Sequence, residues 1–251
     1  MVADIHGNAT ALRAVLADAA PLAIDQWWAL GDLVLFNARP VEVLELLADL
    51  PGIRYVRGNT DRYVVTGEQP DPHATAADAA GDVGLVERYA GMAAGSAWTA
   101  SALEHAGWLD WLADLPTEQR IDLPGRGQLL GIHASYGRDD GAGIDTDIAD
   151  ADLAGLFAGC RADVVVGGHT HVSTDRVAGG VRFLNGGSTG MPRRAHGACW
   201  LLLDISDAGV AAQHRVVPFD VEAVAADNRR RRHPNAPFVE PVLRRAHPFA
   251  H

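Results

Sequence analysis

Seven side chains that can hold metal ions recur along the chain, each close behind a short apolar run. They are Asp4, His6, Asp32, Asn59, His133, His169 and His171. Carboxylate oxygen, imidazole nitrogen and amide oxygen form a mixed hard and borderline ligand set, which suits manganese, iron, zinc, nickel or cobalt. A single histidine or one Asp-x-His triplet is a weak signal. The prediction of a metal site therefore depends on whether the fold brings all seven together.

Glycines accompany most of these candidate ligands. Gly7, Gly31, Gly58 and the pair Gly167-Gly168 stand beside them in the sequence. Because glycine permits backbone shapes and close approaches that side chains block, a turn at each position would point the adjacent ligand inward. Ordinary tight turns explain the same glycines, and both interpretations are compatible. Asn8 also has two interpretations of equal weight, as a donor to a phosphate oxygen or as the cap of a helix beginning near Thr10.

The elements that must position these residues alternate at the start of the chain. Apolar spacing predicts helices over residues 10–20 and 40–50, and short strands over residues 26–30 and 53–56. A βαβαβ order predicts a parallel sheet with right-handed crossovers. The candidate ligands follow the carboxyl ends of the strands, where an open α/β sheet gathers side chains into one crevice. The sequence thus predicts one site built from five loops.

The remainder of the chain divides into three stretches. Residues 62–118 are rich in alanine and contain Trp98 and Trp108, which we expect to pack an inserted helical cap onto the sheet. Strands return over residues 129–217 and include a hairpin that turns at Gly179-Gly180. From residue 228 to residue 251 prolines recur without periodicity, which predicts an irregular tail. We interpret residues 1–251 as a single domain with a cap and a tail.

In their order and content the candidate motifs resemble those of the calcineurin-like metallophosphoesterase family, and in particular its bacterial small phosphodiesterase-type branch. The motifs are Asp4–Asn8, Gly31–Asp32, Gly58–Asp61, Gly131–His133 and Gly167–His171, and the resemblance spans about residues 2–217. It implies an α/β fold, a four-layer αββα sandwich of two mixed sheets with a helical cap. The metals would lie at the carboxyl ends of the central strands.

The resemblance also implies how the ligands are shared. Asp4, His6 and His171 would bind one divalent ion, Asn59, His133 and His169 the other, and Asp32 would bridge both. Manganese is the favoured metal, with iron, zinc, nickel or cobalt as alternatives. The implied reaction is hydrolysis of a small phosphodiester or phosphomonoester by a hydroxide shared between the ions, with Asp32, Asn59 and His133 as catalytic residues. Arg193 is the second candidate phosphate ligand beside Asn8, although a structural salt bridge would explain it almost as well.

Two departures from the family pattern qualify these expectations. Many relatives have a histidine where this chain has Thr60, and that histidine is taken to protonate the leaving group. Thr60 cannot replace it, and Asp61 is expected to support the loop. His196 is a candidate substitute, although an exposed loop histidine is the favoured interpretation. Only three residues precede Asp4, whereas a strand usually has about 5–6 residues. Either the true start lies upstream, or a shortened first strand makes the Asp4 half of the site less rigid.

Composition limits the partners. With 21 basic and 32 acidic residues the net charge is −11, which disfavours long nucleic acid and favours a small-molecule phosphate ester as substrate. Cys160 and Cys199 are expected to be core residues, and the absence of a long apolar stretch predicts a soluble, cytoplasmic protein without membrane contact. Two other functions stay open, a non-catalytic metal-binding scaffold of the same fold and a protein phosphatase or nuclease. The sequence does not indicate an oligomeric state.

Overall fold

A computed structural model describes residues 1–68, 81–125 and 127–245. Its helices are α1 (Ala9–Ala19), α2 (Pro40–Ala48), α3 (Asn59–Thr66), α4 (Val83–His105), α5 (Leu109–Ala113), α6 (Asp150–Leu156), α7 (Val221–Arg230) and α8 (Ala236–Arg245). Its strands are β1 (Trp28–Leu30), β2 (Arg54–Val56), β3 (Glu118–Leu123), β4 (Gly127–Ile132), β5 (Val164–Gly167), β6 (Thr174–Ala178), β7 (Val181–Asn185), β8 (Ala198–Ser206) and β9 (Gly209–Val217). The predicted alternation of strands and helices up to residue 56 is confirmed.

The first sheet is assembled around residues 1–4. Strands β1 and β2 pair in parallel, and Val2 lies on the other side of β1, with its N–H donating to Trp28 O at 2.9 Å. Met1 and Leu201 exchange backbone hydrogen bonds of 2.7 and 3.0 Å, which joins the antiparallel hairpin β8–β9 to this segment. The first strand is as short as expected: its pairing with β1 consists of one isolated parallel bridge, between Val2 and Ala29.

The second sheet has the strand order β3-β4-β5-β7-β6. Strands β4, β5 and β7 are parallel, whereas the edge strands β3 and β6 are antiparallel to their neighbours. The turn between β6 and β7 is Gly179-Gly180, and both glycines have a positive φ, as the predicted two-residue hairpin turn requires. Both sheets are therefore mixed, as expected.

Alternation of side chains along the strands creates the layers. In β1, Trp28 and Leu30 face the second sheet and pack with Val166 and Leu184, whereas Ala29 faces α1 and α2. The outer face of the second sheet packs on α6 through a separate apolar cluster that includes Leu130, Val165, Phe183, Leu153 and Phe157. The order helix, sheet, sheet, helix confirms the predicted four-layer sandwich.

Helices α4 and α5 occupy the predicted cap region. Trp108 contacts Trp111 at 5.2 Å between ring centroids and packs against the core cluster that includes Ala29 of β1, as expected. Trp98 packs edge-on at 4.6 Å against His233, which follows α7. Residues 69–80 of the predicted cap lie outside the described residues, and its limits stay a prediction. Cys160 and Cys199 are buried and unpaired, as predicted. Within the described ranges, no helix is long and apolar enough to cross a membrane.

The prediction of an irregular tail is wrong for residues 236–245, which form α8. Pro237 lies in the first turn, where a missing N–H costs nothing, and Pro241 removes only one hydrogen bond from the helix. Val239 and Leu243, four residues apart, are both fully buried. Burial of this apolar stripe outweighs the poor helix propensity of proline. Residues 246–251 lie outside the described part.

Candidate metal centre

The loop after residues 1–4 and the loop after β5 form the first half of the site. His6 Nε2 lies 3.1 Å from His171 Nε2 and 3.7 Å from Asp32 Oδ2. His171 Nε2 lies 3.5 Å from Asp4 Oδ1. Two imidazole nitrogens and two carboxylates thus lie close together. They are the first predicted ligand group, Asp4, His6 and His171, and the shared residue Asp32.

The loops after β2, β4 and β5 form the second half. His133 Nε2 lies 3.3 Å from Asp32 Oδ1 and 3.2 Å from Asn59 Oδ1, and His169 Nδ1 lies 2.9 Å from the same Asn59 oxygen. Asp32 stands between the halves, since one of its oxygens faces His6 and the other faces His133. The structure therefore brings all seven predicted residues together.

Backbone carbonyls orient three of the four histidines. Leu30 O lies 2.8 Å from His133 Nδ1, Met191 O lies 2.7 Å from His171 Nδ1, and Gly141 O lies 2.9 Å from His169 Nε2. A carbonyl can only accept, so each of these nitrogens carries the proton in the neutral ring. The other nitrogen then offers its lone pair to the cluster, as in metal sites whose outer hydrogen bonds fix the tautomer.

Five of the seven residues adopt backbone conformations that L-residues rarely take. Asp4, His6, Asp32, His169 and His171 have φ values of 53°, 51°, 53°, 71° and 62°. Such conformations cost on the order of 1–3 kcal/mol each and persist where the surrounding structure demands them. Gly58 is constrained in a different way, by close packing: a Cβ there would lie 2.2 Å from both the backbone nitrogen and Oδ1 of Asp32. The loops are strained in order to point these side chains inward.

The electrostatics of the cluster favour a cation. Burial lowers the pKa of His6 to about 4 and that of His171 to about 3, so both rings are neutral near pH 7. Burial opposes charge on His133 too, but the Asp32 carboxylate outweighs it and raises the His133 pKa to about 10. Burial raises the pKa of Asp4 well above its usual range. A cation beside Asp4 would offset this cost of burial and favour the ionised carboxylate.

The donor atoms of the cluster are suited to divalent metal ions. His171 Nε2 presents its lone pair to His6 Nε2 at 3.1 Å, because the proton of His171 is held on Nδ1 by Met191 O, and a cation between the two rings would take that lone pair. His6 Nδ1 is buried and makes no hydrogen bond of normal geometry in the described part of the chain. Lone pairs of nitrogen and oxygen converge in two groups around one shared carboxylate, and the residues therefore fit two divalent ions.

Neighbouring residues support the ligands without joining them. Asp61 accepts hydrogen bonds from the backbone N–H of Leu33, Val34 and Gly58 at 2.9, 3.2 and 2.9 Å, so its predicted loop-supporting role is confirmed. The Thr60 N–H donates to Asp32 Oδ1 at 2.8 Å, which holds the bridging carboxylate in place.

Asn8 caps α1 by accepting from Ala11 N at 3.0 Å, and its amide donates to Gly190 O at 2.9 Å. It is buried and does not line the cavity over the cluster, so the structure supports the helix-cap interpretation of Asn8 and not the phosphate-donor interpretation. His196 is exposed, as expected.

A cavity of about 470 Å³ opens over the cluster. Arg193 lines it, with Nη1 3.4 Å from Thr170 O, as does Tyr63, whose pKa burial raises. Sequence reasoning missed eight lining residues: Phe36, Tyr63, Met92, Met191, Pro192, Phe238, Val242 and Arg245. The spacing of Phe238, Val242 and Arg245 along one helical face was the available signal, but the interpretation of the tail as irregular concealed it.

Comparisons with known proteins agree with this geometry. The pattern of the calcineurin-like phosphoesterase superfamily domain matches residues 1–208. A metallophosphoesterase from Sphaerobacter thermophilus has a similar structure, with 25% identity, a TM-score of 0.73 and coverage of 96% of both chains. Protein PH1004 from Pyrococcus horikoshii OT3 shares the fold at 23% identity and a TM-score of 0.78, covering 96% of this chain and 95% of that one.

A shorter match links the chain to the uncharacterized protein MJ0912 of Methanocaldococcus jannaschii. The two are 42% identical over 69 residues, which is 28% of each chain. The family match, in contrast, covers all seven candidate ligands from Asp4 to His171. The chain belongs to the calcineurin-like phosphoesterase superfamily.

Proposed function

We propose that this chain is a binuclear metal-dependent phosphoesterase that hydrolyses a small phosphodiester or phosphomonoester, with the diester favoured. The observation that carries the proposal is the convergence of seven ligand side chains in two groups that share Asp32. One oxygen of Asp32 lies 3.7 Å from His6 Nε2 and the other lies 3.3 Å from His133 Nε2. A scaffold that no longer binds metal would have no need of five strained backbones at these positions.

Each ligand has an assigned ion in this proposal. Asp4, His6 and His171 hold one, Asn59, His133 and His169 hold the other, and Asp32 belongs to both. When bound, two divalent ions, with manganese favoured, supply an activated water and neutralise charge on the phosphoryl oxygens. The carbonyls behind His133, His169 and His171 hold a proton on the outer ring nitrogen, so the other nitrogen is the one that would bind an ion. At His133 a bound ion would also displace the second proton that Asp32 favours there.

Arg193 and Thr60 would set the chemistry around the phosphate. The exposed Arg193 guanidinium lines the cavity and offers two parallel donors to phosphate oxygens. Thr60 lines the same cavity but cannot protonate a leaving group. We therefore propose that the substrate has a leaving group that departs readily without an acid at this position.

The experiment that tests the proposal combines metal analysis with hydrolysis. Metal content and turnover of bis-p-nitrophenyl phosphate and p-nitrophenyl phosphate are measured with added Mn²⁺, Ni²⁺, Zn²⁺ or Mg²⁺. We expect about two ions per chain and faster diester turnover, and we expect Asp32→Asn to abolish both. Asp25→Asn, at an exposed aspartate remote from the cluster, is the matched control and should retain both.

The outcomes separate the alternatives. Faster turnover of the monoester would indicate a phosphatase and would contradict the diester preference. Two bound ions without turnover of either ester would favour the metal-binding scaffold. A chain that binds no metal under any of these conditions would overturn the proposal as a whole.

A further inference from the structure

The cavity over the metal cluster has two chemically distinct halves. One half is the ligand cluster, represented by His6, Asp32 and His171. The other half, which we call the apolar wall, consists of Phe36, Met92, Met191, Phe238 and Val242. Both halves line the same continuous space of about 470 Å³. Any group attached to a phosphate bound at the cluster would therefore lie close to the apolar wall.

Phe36 is held in the wall by an unusual backbone. Its φ is 74° and that of the preceding Leu35 is 72°, and two consecutive bulky residues in the left-handed region form a genuine outlier. The Phe36 ring stands edge-on to His6 at 5.0 Å between centroids and lies 5.8 Å from Phe238. The fold thus fixes one aromatic ring between a proposed metal ligand and a second aromatic ring.

Helix α8 presents two neighbouring apolar stripes. Val239 and Leu243 are fully buried and attach the helix to Met191, whereas Phe238 and Val242 face the cavity. Phe238 remains 48% exposed. Exposure of an aromatic side chain to water costs free energy in proportion to the exposed area. When such a side chain lines a cavity, it indicates a surface that binds an apolar group. The wall is therefore available to an apolar group that enters from outside.

We propose that the apolar wall is a subsite for a flat, ring-containing substituent of the phosphate ester, an aryl group or a nucleobase. The inference rests on the proposed function, since the phosphate of the same molecule would lie at the metal cluster. Phe36 and Phe238 offer ring faces and edges, and aromatic rings pair favourably with centroids 4.5–7 Å apart. Arg193 and Arg245 line the same cavity and would meet further anionic oxygens of such a substrate. The wall thus selects the substituent, whereas the cluster selects the phosphate.

Binding of phosphonates, which are not hydrolysed, tests this subsite without measuring activity. Dissociation constants of methylphosphonate, phenylphosphonate and a nucleoside 5′-phosphonate are measured by calorimetry on the metal-loaded chain. We expect at least one ring-bearing phosphonate to bind about tenfold more tightly than methylphosphonate. The tighter of the two ring ligands identifies the kind of ring.

Variants of the wall locate the effect. Phe238→Ala should reduce the preference to about threefold or less and leave methylphosphonate binding unchanged. Met92→Ala, on the opposite helix α4, gives a second test if the first variant does not fold. Val216→Ala, at a residue that is 49% exposed on β9 and outside the cavity, is the matched control and should keep the full preference.

Two negative results are distinguishable. Equal affinity for methylphosphonate and both ring ligands, or a preference that neither wall variant changes, would overturn the subsite and leave the proposed function intact. Failure of every phosphonate to bind the metal-loaded chain would overturn the proposed function, and the subsite with it.

Discussion

Close contacts of single residues determine where the proposed metal ligands lie. At Gly58 the Cα hydrogen faces the backbone and side chain of Asp32, and no room is left for a carbon atom. The Thr60 N–H then holds Asp32 Oδ1 at 2.8 Å. Asp32 is thereby positioned by contacts from two sides before any ion is present. At this scale the site depends on the glycine as much as on the carboxylate.

Substitution of two glycines by alanine should give opposite results. Gly58→Ala would place its Cβ 2.2 Å from Asp32 Oδ1, so we expect about 1–3 kcal/mol of destabilisation and a 10–100-fold loss of metal affinity. Gly91→Ala, in the interior of α4, would meet no atom of the described residues within 4 Å and should stabilise the chain by roughly 0.5–1 kcal/mol. Urea unfolding and metal titration of both variants check this. Unchanged metal affinity in Gly58→Ala would contradict the proposed crowding.

At the scale of elements, the C-terminal helices bind the cap to the metal-binding face. His233, in the turn between α7 and α8, packs against Trp98 of α4 and accepts a hydrogen bond from Asn235 N at 3.2 Å. The Asn235 amide in turn donates to Gly91 O of α4 at 2.9 Å. Through α8 this turn also supports Phe238 and the apolar wall. The stability of the turn is therefore linked to the shape of the cavity.

The protonation of His233 should make the stability depend on pH. Burial lowers the pKa of His233 to about 4 from an ordinary value of 6.5, so the unfolded chain binds more protons between these two values. Stability is therefore complete above about pH 6.5 and falls by on the order of 3 kcal/mol as the pH drops to about 4. Urea unfolding from pH 4 to 7 should show that His233→Asn lacks this part of the decline.

A histidine at the exposed end of α4 provides the control for that measurement. His105→Asn should follow the wild-type pH profile, because His105 is exposed to solvent. Other buried histidines also contribute to the profile, so the quantity compared is the difference between each variant and the wild type. Identical profiles for His233→Asn and the wild type would show that His233 does not titrate as its burial requires.

The same elements show what the sequence could and could not predict. Asp32 and His133 were predictable because each lies within two residues of the end of an apolar strand, and strand ends of a parallel sheet share an edge. The helical spacing of Phe238 is visible in the sequence, but its place in the cavity was not predictable, because that requires α8 to fold back onto Met191. Two prolines hid that helix, whose stability comes from tertiary burial and not from local propensity. The carbonyls that orient the histidines were equally inaccessible, since they are distant backbone groups.

At the scale of the whole molecule, the cluster joins the two sheets. Residues 4–6, Asp32 and Asn59 follow strands of the first sheet, whereas His133 and residues 169–171 follow strands of the second. Each proposed ion has ligands from both sheets. A bound ion would therefore link the two sheets across the end of the sandwich. Binding of the ion would therefore raise the free energy of unfolding of the whole chain, and not only stabilise the loops that carry the ligands.

Removal of metal should consequently lower the melting temperature of the entire chain. An ion held at about 100 times its dissociation constant stabilises the folded state by roughly 2.7 kcal/mol, provided the unfolded chain does not bind it. For a chain of this size, that corresponds to a shift of roughly 5–10 °C. Calorimetry with and without a chelator measures the shift, and added Mn²⁺ should restore it. Asp32→Asn should show no shift and Asp25→Asn the full one, because only Asp32 shares its carboxylate with both ligand groups. An identical melting temperature with and without the chelator would mean that the two sheets do not depend on an ion at this site.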